Sequence, residues 1–85
     1  MNIKAKINDA NQKVIVVTNK NINLHLTMFG NGVHQIQYFE ENYDGKNRYN
    51  CKLNNEIVSS KADIEKFCFK NKVNKYVANA ISQHI

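Results

Sequence analysis

Residues 24–38, Leu-His-Leu-Thr-Met-Phe-Gly-Asn-Gly-Val-His-Gln-Ile-Gln-Tyr, alternate apolar and polar side chains on either side of a Gly-Asn-Gly break. A period of two marks a half-buried strand, and two such runs joined by a short glycine-bearing turn read as a β-hairpin. The loop can hold two or three residues, and burial chooses between them. Three residues set Leu24 opposite Tyr38, Leu26 opposite Ile36 and Met28 opposite His34, with Gly32 supplying a left-handed backbone. Two residues would oppose Leu26 to Gln37 and Met28 to Gln35. The first register collects the apolar groups on one face, which a one-residue slip would scatter.

The same reasoning extends outward from this hairpin. Downstream, Asp44-Gly45 is a two-residue hairpin signal, and it pairs Ile36 with Leu53, Tyr38 with Cys51 and Glu41 with Arg48. Upstream, pairing Thr18 with Ile22 around Asn19-Lys20-Asn21 places Val14 by Leu26 and Val16 by Leu24, and Ile3, Ala5 and Ile7 join through Val16 and Val14. The strands are then 2–7, 13–18, 22–29, 33–40 and 47–53. Their shared core face carries Ile3, Ala5, Ile7, Val14, Val16, Ile22, Leu24, Leu26, Met28, Ile36, Tyr38, Tyr49, Cys51 and Leu53. Agreement of independent turns on one face is the consistency expected of a foldable sequence.

Beyond Val58, Ser60 is an N-cap candidate with Asp63 at the third helical position. Ile64, Phe67 and Cys68 line one side of the helix that follows, and Val73, Tyr76, Val77, Ala80 and Ile81 line a second stripe. At 100° per residue these stripes lie about 180° apart on an unbroken helix. A break near Asn71 lets both face the sheet, which predicts two helices, 61–69 and 72–83. The fold class is α+β: a five-stranded antiparallel meander with two short C-terminal helices packed on one face, as a single domain over 1–85.

Composition bounds the function. The chain of 85 residues, 42% hydrophobic and 22% charged, is of a size and balance that folds alone but leaves no room for a deep catalytic cleft. No run approaches the apolar length that spans a bilayer, and the N-terminus lacks the apolar core of a signal peptide, so a cytoplasmic location without membrane contact is expected. Cys51 and Cys68 are too few for a disulfide framework and read as buried thiols. The net charge is +5, and eleven of the twelve cations are Lys, point charges suited to phosphate more than to base edges. The surplus of Asn, Lys and Ile points to a low-GC bacterial or phage genome.

None of the usual hydrolase, phosphate-loop or zinc motifs occurs, and adjacent Glu40 and Glu41 point to opposite faces of their strand. No catalytic residue, cofactor or metal site is expected. His25 and His34 fall on opposite faces, and His34 beside Met28 reads as a sheet-edge histidine with a hydrogen-bonded ring. The second sheet face is more informative. It is expected to carry Lys4, Lys6, Ile15, Val17, Asn23, His25, Thr27, Phe29, Val33, Gln35, Gln37, Phe39, Arg48, Asn50 and Lys52. Bases, amides and two aromatics on an uncovered sheet are what a surface that tracks phosphates and stacks bases uses. Among these, Lys4, Lys6, His25, Phe29, Gln37, Phe39, Arg48, Asn50 and Lys52 are the candidate partner-binding residues.

The small size, the strands of VIVVTNKNINLHLTMFGNGVHQIQYFEENYDGKNRYNCKL and the terminal helices of SSKADIEKFCFKNKVNKYVANAISQHI resemble small inhibitor proteins of phages, anti-CRISPR proteins among them. The resemblance covers the architecture of the whole chain and no shared motif. It implies a non-enzymatic protein in the host cytoplasm that blocks a host nuclease or ribonucleoprotein surveillance complex. The chain departs from the acidic DNA mimics of that group, so a basic member would bind an acidic protein surface or the RNA- or DNA-loaded complex. The alternative is a small accessory protein that binds RNA or DNA through Lys–phosphate contacts.

Overall fold

The structure, a computed structural model, describes the backbone of residues 1–85 and every side chain except those of Tyr43, Asp44, Asn47, Arg48, Tyr49, Asn50, Lys52 and Leu53. Five strands, β1 (Asn2–Ile7), β2 (Lys13–Asn19), β3 (Ile22–Met28), β4 (His34–Asp44) and β5 (Asn47–Val58), precede α1 (Lys61–Lys70) and α2 (Lys75–Ser82). The strands form one antiparallel sheet in chain order. Both helices cover the same face of it, closing a core with Ile15, Val17, Leu24, Leu26, Ile36, Tyr38 and Val58.

The central hairpin has the expected register, with Leu24 opposite Tyr38, Leu26 opposite Ile36 and Met28 opposite His34. Gly30 and Gly32 take φ of 85° and 82°, the Phe29 amide donates to the Val33 carbonyl at 3.2 Å, and the Val33 amide donates to Asn31 Oδ1 at 3.1 Å. Positive φ at both glycines is what makes this turn glycine-bearing.

Strand β2 departs from expectation by one residue. Its turn is the two-residue loop Lys20-Asn21, Asn19 pairs with Ile22, and Lys20 adopts φ 56°, a left-handed backbone of the kind tight hairpin turns use. Ile15 therefore meets Leu26 and Val17 meets Leu24, and both are fully buried beneath the helices. Val14 and Val16, expected in the core, lie on the opposite face. Residues 14–17 are all apolar, so burial could not choose between the two faces. The connection before β2 shifts in step. Asn8 Oδ1 accepts from the amides of Ala10 at 3.1 Å and Gln12 at 2.8 Å, and Ile3 faces Val17 while Ala5 faces Ile15. Those β1 residues share the core side of the sheet but extend past the helices, leaving Ile3 45% and Ile7 62% exposed.

Strand β5 is longer than expected and differently registered. Its loop is Gly45-Lys46, with Asp44 opposite Asn47, and the ladder shifts by one residue between Tyr38 and Phe39, skipping Leu53. The loop sets Glu40 opposite Cys51, and the bulge sets Tyr38 opposite Asn54 and Ile36 opposite Glu56, in place of the Leu53 and Cys51 pairings expected above. The extra residue brings Val58 into the core at 3% exposure. The expected core positions Tyr49 and Leu53 lie outside the described side chains. Cys51 is half-buried, Cys68 is 1% exposed, and both are free thiols.

Helix α1 starts as the sequence indicates. Ser60 Oγ accepts from the Asp63 amide at 3.2 Å, and the Asp63 carboxylate accepts from the Ser59 amide at 3.0 Å. That bond from Ser59 leads the interactions that lower the Asp63 pKa. The helix ends at Asn71, where the expected break falls. The Val73 amide donates to the Cys68 carbonyl at 2.8 Å and the Lys72 amide to the Phe69 carbonyl at 3.1 Å, with Lys72 at φ 58°. This is a Schellman closure with lysine in the left-handed position that glycine usually fills. Asn71 Nδ2 donates to the Phe67 carbonyl at 2.8 Å while its Oδ1 accepts from Asn54 Nδ2 at 3.2 Å, which ties the helix junction to the bulged strand. Helix α2 begins at Asn74, whose Oδ1 accepts from the Tyr76 amide at 2.7 Å. The face it buries is Val77, Ala78, Ile81 and Ser82, continuing from Val73. Tyr76, expected on that face, is 79% exposed.

Candidate binding face of the sheet

The face opposite the helices is built by the ladder as three rungs running across the strands. The first is Lys6, Val14, Thr27, Gln35 and Ile57; the second Lys4, Val16, His25, Gln37 and Asn55; the third Asn2, Thr18, Asn23, Phe39 and Lys52. Strand alternation puts these on one side, the side chain of Lys52 lying outside the described residues. Val14 at 4% and Thr27 at 8% exposure are closed over by neighbouring side chains, whereas Val16, His25, Gln37 and Phe39 remain partly open.

His25 and Phe39 sit diagonally on neighbouring strands with ring centroids 4.7 Å apart and planes tilted by 50°. That tilted geometry is a favourable one for two π systems. Thr18 Oγ1 donates to Asn23 Oδ1 at 2.7 Å beside them. Burial lowers the His25 pKa from 6.5, and the Lys6 ammonium lowers it further. At neutral pH the pair is thus a neutral ring stack under a cationic edge.

The structure brings Lys4, Lys6, His25, Gln37 and Phe39 onto one face, as expected from the sequence. Ile15 and Val17, expected there as well, belong to the core, because the β2 register is shifted. Phe29 lies beyond the end of β3 in the turn, six residues along from the Phe39 rung at Asn23, a separation of about 20 Å in a strand. Phe29 and Phe39 therefore do not form one aromatic cluster. In the ladder Arg48 pairs with Tyr43, Asn50 with Glu41 and Lys52 with Phe39; the side chains of Arg48, Asn50 and Lys52 lie outside the described residues. Sequence reasoning missed Asn2, Val14, Val16, Thr18, Asn55 and Ile57 on this face. The signal was present for the last two, since Asn54-Asn55-Glu56-Ile57-Val58 contains no glycine or proline to end a strand.

His25 and His34 do fall on opposite faces. The expected hydrogen bond of the His34 ring is not made at Nδ1, which is buried without a partner. Among the described residues no three His, Cys, Asp or Glu side chains converge as a metal site would require, and no helix is long and apolar enough to cross a membrane. Comparison of the chain with family models, with curated proteins and with solved structures found no match in any of the three.

The His25 environment has a pH signature. The unfolded chain protonates this ring near pH 6.5, and the folded chain does so only at lower pH. Between those values the unfolded state binds more protons, so stability falls as pH drops through 6.5 and levels off below the folded-state value. Urea midpoints measured from pH 7.5 to pH 5 should show this decline, and His25→Gln should remove that part of the slope. An unchanged slope in the variant would mean that His25 is not held neutral by its surroundings.

Proposed function

We propose that this chain is a non-enzymatic binding protein that acts by steric blockade, docking the open sheet face on a larger host protein or ribonucleoprotein, in the manner of small phage inhibitors of the anti-CRISPR kind. The observation that carries the reading is the His25–Phe39 pair on a sheet face that no helix covers, bordered by Lys4 and Lys6. A partly open aromatic pair offers a rigid apolar anchor, and the lysines on the adjoining strands steer an acidic surface towards it. Among the described residues of this face, no ring other than that of His25, already stacked on it, lies within reach of Phe39 to continue a series of stacking platforms. Successive bases of a single strand need such a series of platforms, so a protein surface is favoured over free nucleic acid.

The test has two arms. In the first, purified protein is added to cleavage reactions of RNA-guided nucleases from low-GC bacteria. Stoichiometric inhibition is expected, with Phe39→Ala weakening it by about 30-fold and Lys6→Ala by much less. In the second, short RNA and DNA are titrated at two salt concentrations. Affinity that drops steeply with salt, and a slope that Lys4→Ala or Lys6→Ala reduces by about one unit, would replace the inhibitor reading with the nucleic-acid one.

A further inference from the structure

Two large aromatics stand almost fully exposed on the helical layer, Phe69 at 88% and Tyr76 at 79%. Both lie at the α1–α2 junction, far from the open sheet face. Phe69 also forms the rim of a cavity of about 440 Å³ between the helices. The floor is apolar, with Cys68, Val73 and Ala78; Glu65 stands on the α1 wall and Lys75 on the α2 wall. Cys68 is no reactive group there, because burial and the nearby Glu65 carboxylate push its thiol up to about 11.

We infer that this helical surface is a two-fold interface with a second copy of the chain, each Phe69 entering the other copy's α1–α2 groove. Three features of the surface select this occupant. A projecting ring and an apolar groove lie side by side on one patch, which is what an isologous contact requires, since each copy must offer both halves. The wall charges are self-complementary: a two-fold axis that lays α1 over α2 of the second copy brings Glu65 towards the opposing Lys75, and the reverse. The exposed rings also supply a large part of the area that such a contact buries. Phe69 and Tyr76 together present roughly 300–350 Å² per copy, about two fifths of the ~800 Å² that each side of a standard interface buries, before the groove walls and lysine stems are counted. The net charge of +5 on each copy opposes approach at long range. That repulsion is confined to within about 8 Å at physiological salt, and Lys70 is already paired with Glu56 at 3.1 Å. The resulting pair of helical hairpins forms a four-helix layer and leaves both open sheet faces outward, so the inference does not depend on what those faces bind.

Sedimentation equilibrium on the whole chain in about 0.15 M salt tests it. A monomer–dimer equilibrium is expected, with a dissociation constant in the range of about 1–100 µM. Phe69→Asp should weaken it by about 30-fold or more while leaving the thermal unfolding of the monomer unchanged, because the side chain is exposed. Glu65→Lys and Lys75→Glu should each weaken it about fivefold or more, and the double exchange should restore it. A chain that stays monomeric at millimolar concentration, a dimer indifferent to Phe69→Asp, or charge exchanges that fail to rescue one another would overturn the assignment.

Discussion

Ile15→Asp should abolish the folded state, whereas Val16→Asp, one residue along, should leave a cooperatively melting domain. Ile15 is fully buried between Ala5 and Leu26 on the core side of the sheet. A carboxylate there has no partner and loses its hydration, at a cost of several kcal/mol or a strongly raised pKa. Domains of this size are stable by about 5–10 kcal/mol, so one such change consumes most or all of that margin. Val16 is only partly buried and pairs with Lys4, so an aspartate meets water and a lysine rather than apolar side chains. Circular dichroism melts of the two variants decide it. The reverse ranking would restore the register in which Val14 and Val16 form the core.

Phe67→Ala should cost about 3–5 kcal/mol, and Phe69→Ala should change monomer stability by no more than about 0.5 kcal/mol. The two phenylalanines are neighbours on α1, with exposures of 0% and 88%. Phe67 belongs to the buried cluster that joins both helices to the sheet, and its carbonyl accepts from the Asn71 amide and side chain. Truncating it leaves a void at the point where α1, α2 and the sheet meet, and little can collapse into it because that junction is tied to Asn54. Urea unfolding gives both numbers. A small loss at Phe67 would mean that the helices contribute little to the stability of the sheet.

Much of this architecture is legible in the sequence because its signals are local. The Gly30–Gly32 turn specifies the central register by itself, since the strands on either side alternate and only one loop length buries their apolar groups. Ser60 and Asp63 mark the start of α1 through hydrogen bonds spanning four residues, and the opposed stripes of Ile64/Phe67/Cys68 and Val73/Val77/Ile81 require a break at Asn71 whatever surrounds it. The hairpin alternation places His25, Gln37 and Phe39 on a common face, and the alternation within β1 places Lys4 and Lys6 together.

Other features were settled only by tertiary structure, for identifiable reasons. Residues 14–17 are apolar on both faces, so their orientation follows from the Lys20-Asn21 turn and the packing of the helices rather than from any pattern within the strand. The skip at Leu53 leaves no trace in sequence periodicity; it is the offset that lets Val58 join the core and Asn54 reach Asn71, and both partners are remote along the chain. Tyr76 fits the apolar spacing of α2 yet is turned outward, because the Schellman closure at Lys72 sets the helix rotation and gives Ala78 the place beside Val77. The amino-acid sequence by itself thus determined the elements, their order and the register of the central hairpin, through interactions a few residues long. Which face of β2 is buried, where β5 shifts, and that Phe69 and Tyr76 stand out beside a groove were decided by the fit of the helices to a twisted sheet, a condition that no short stretch of the chain contains.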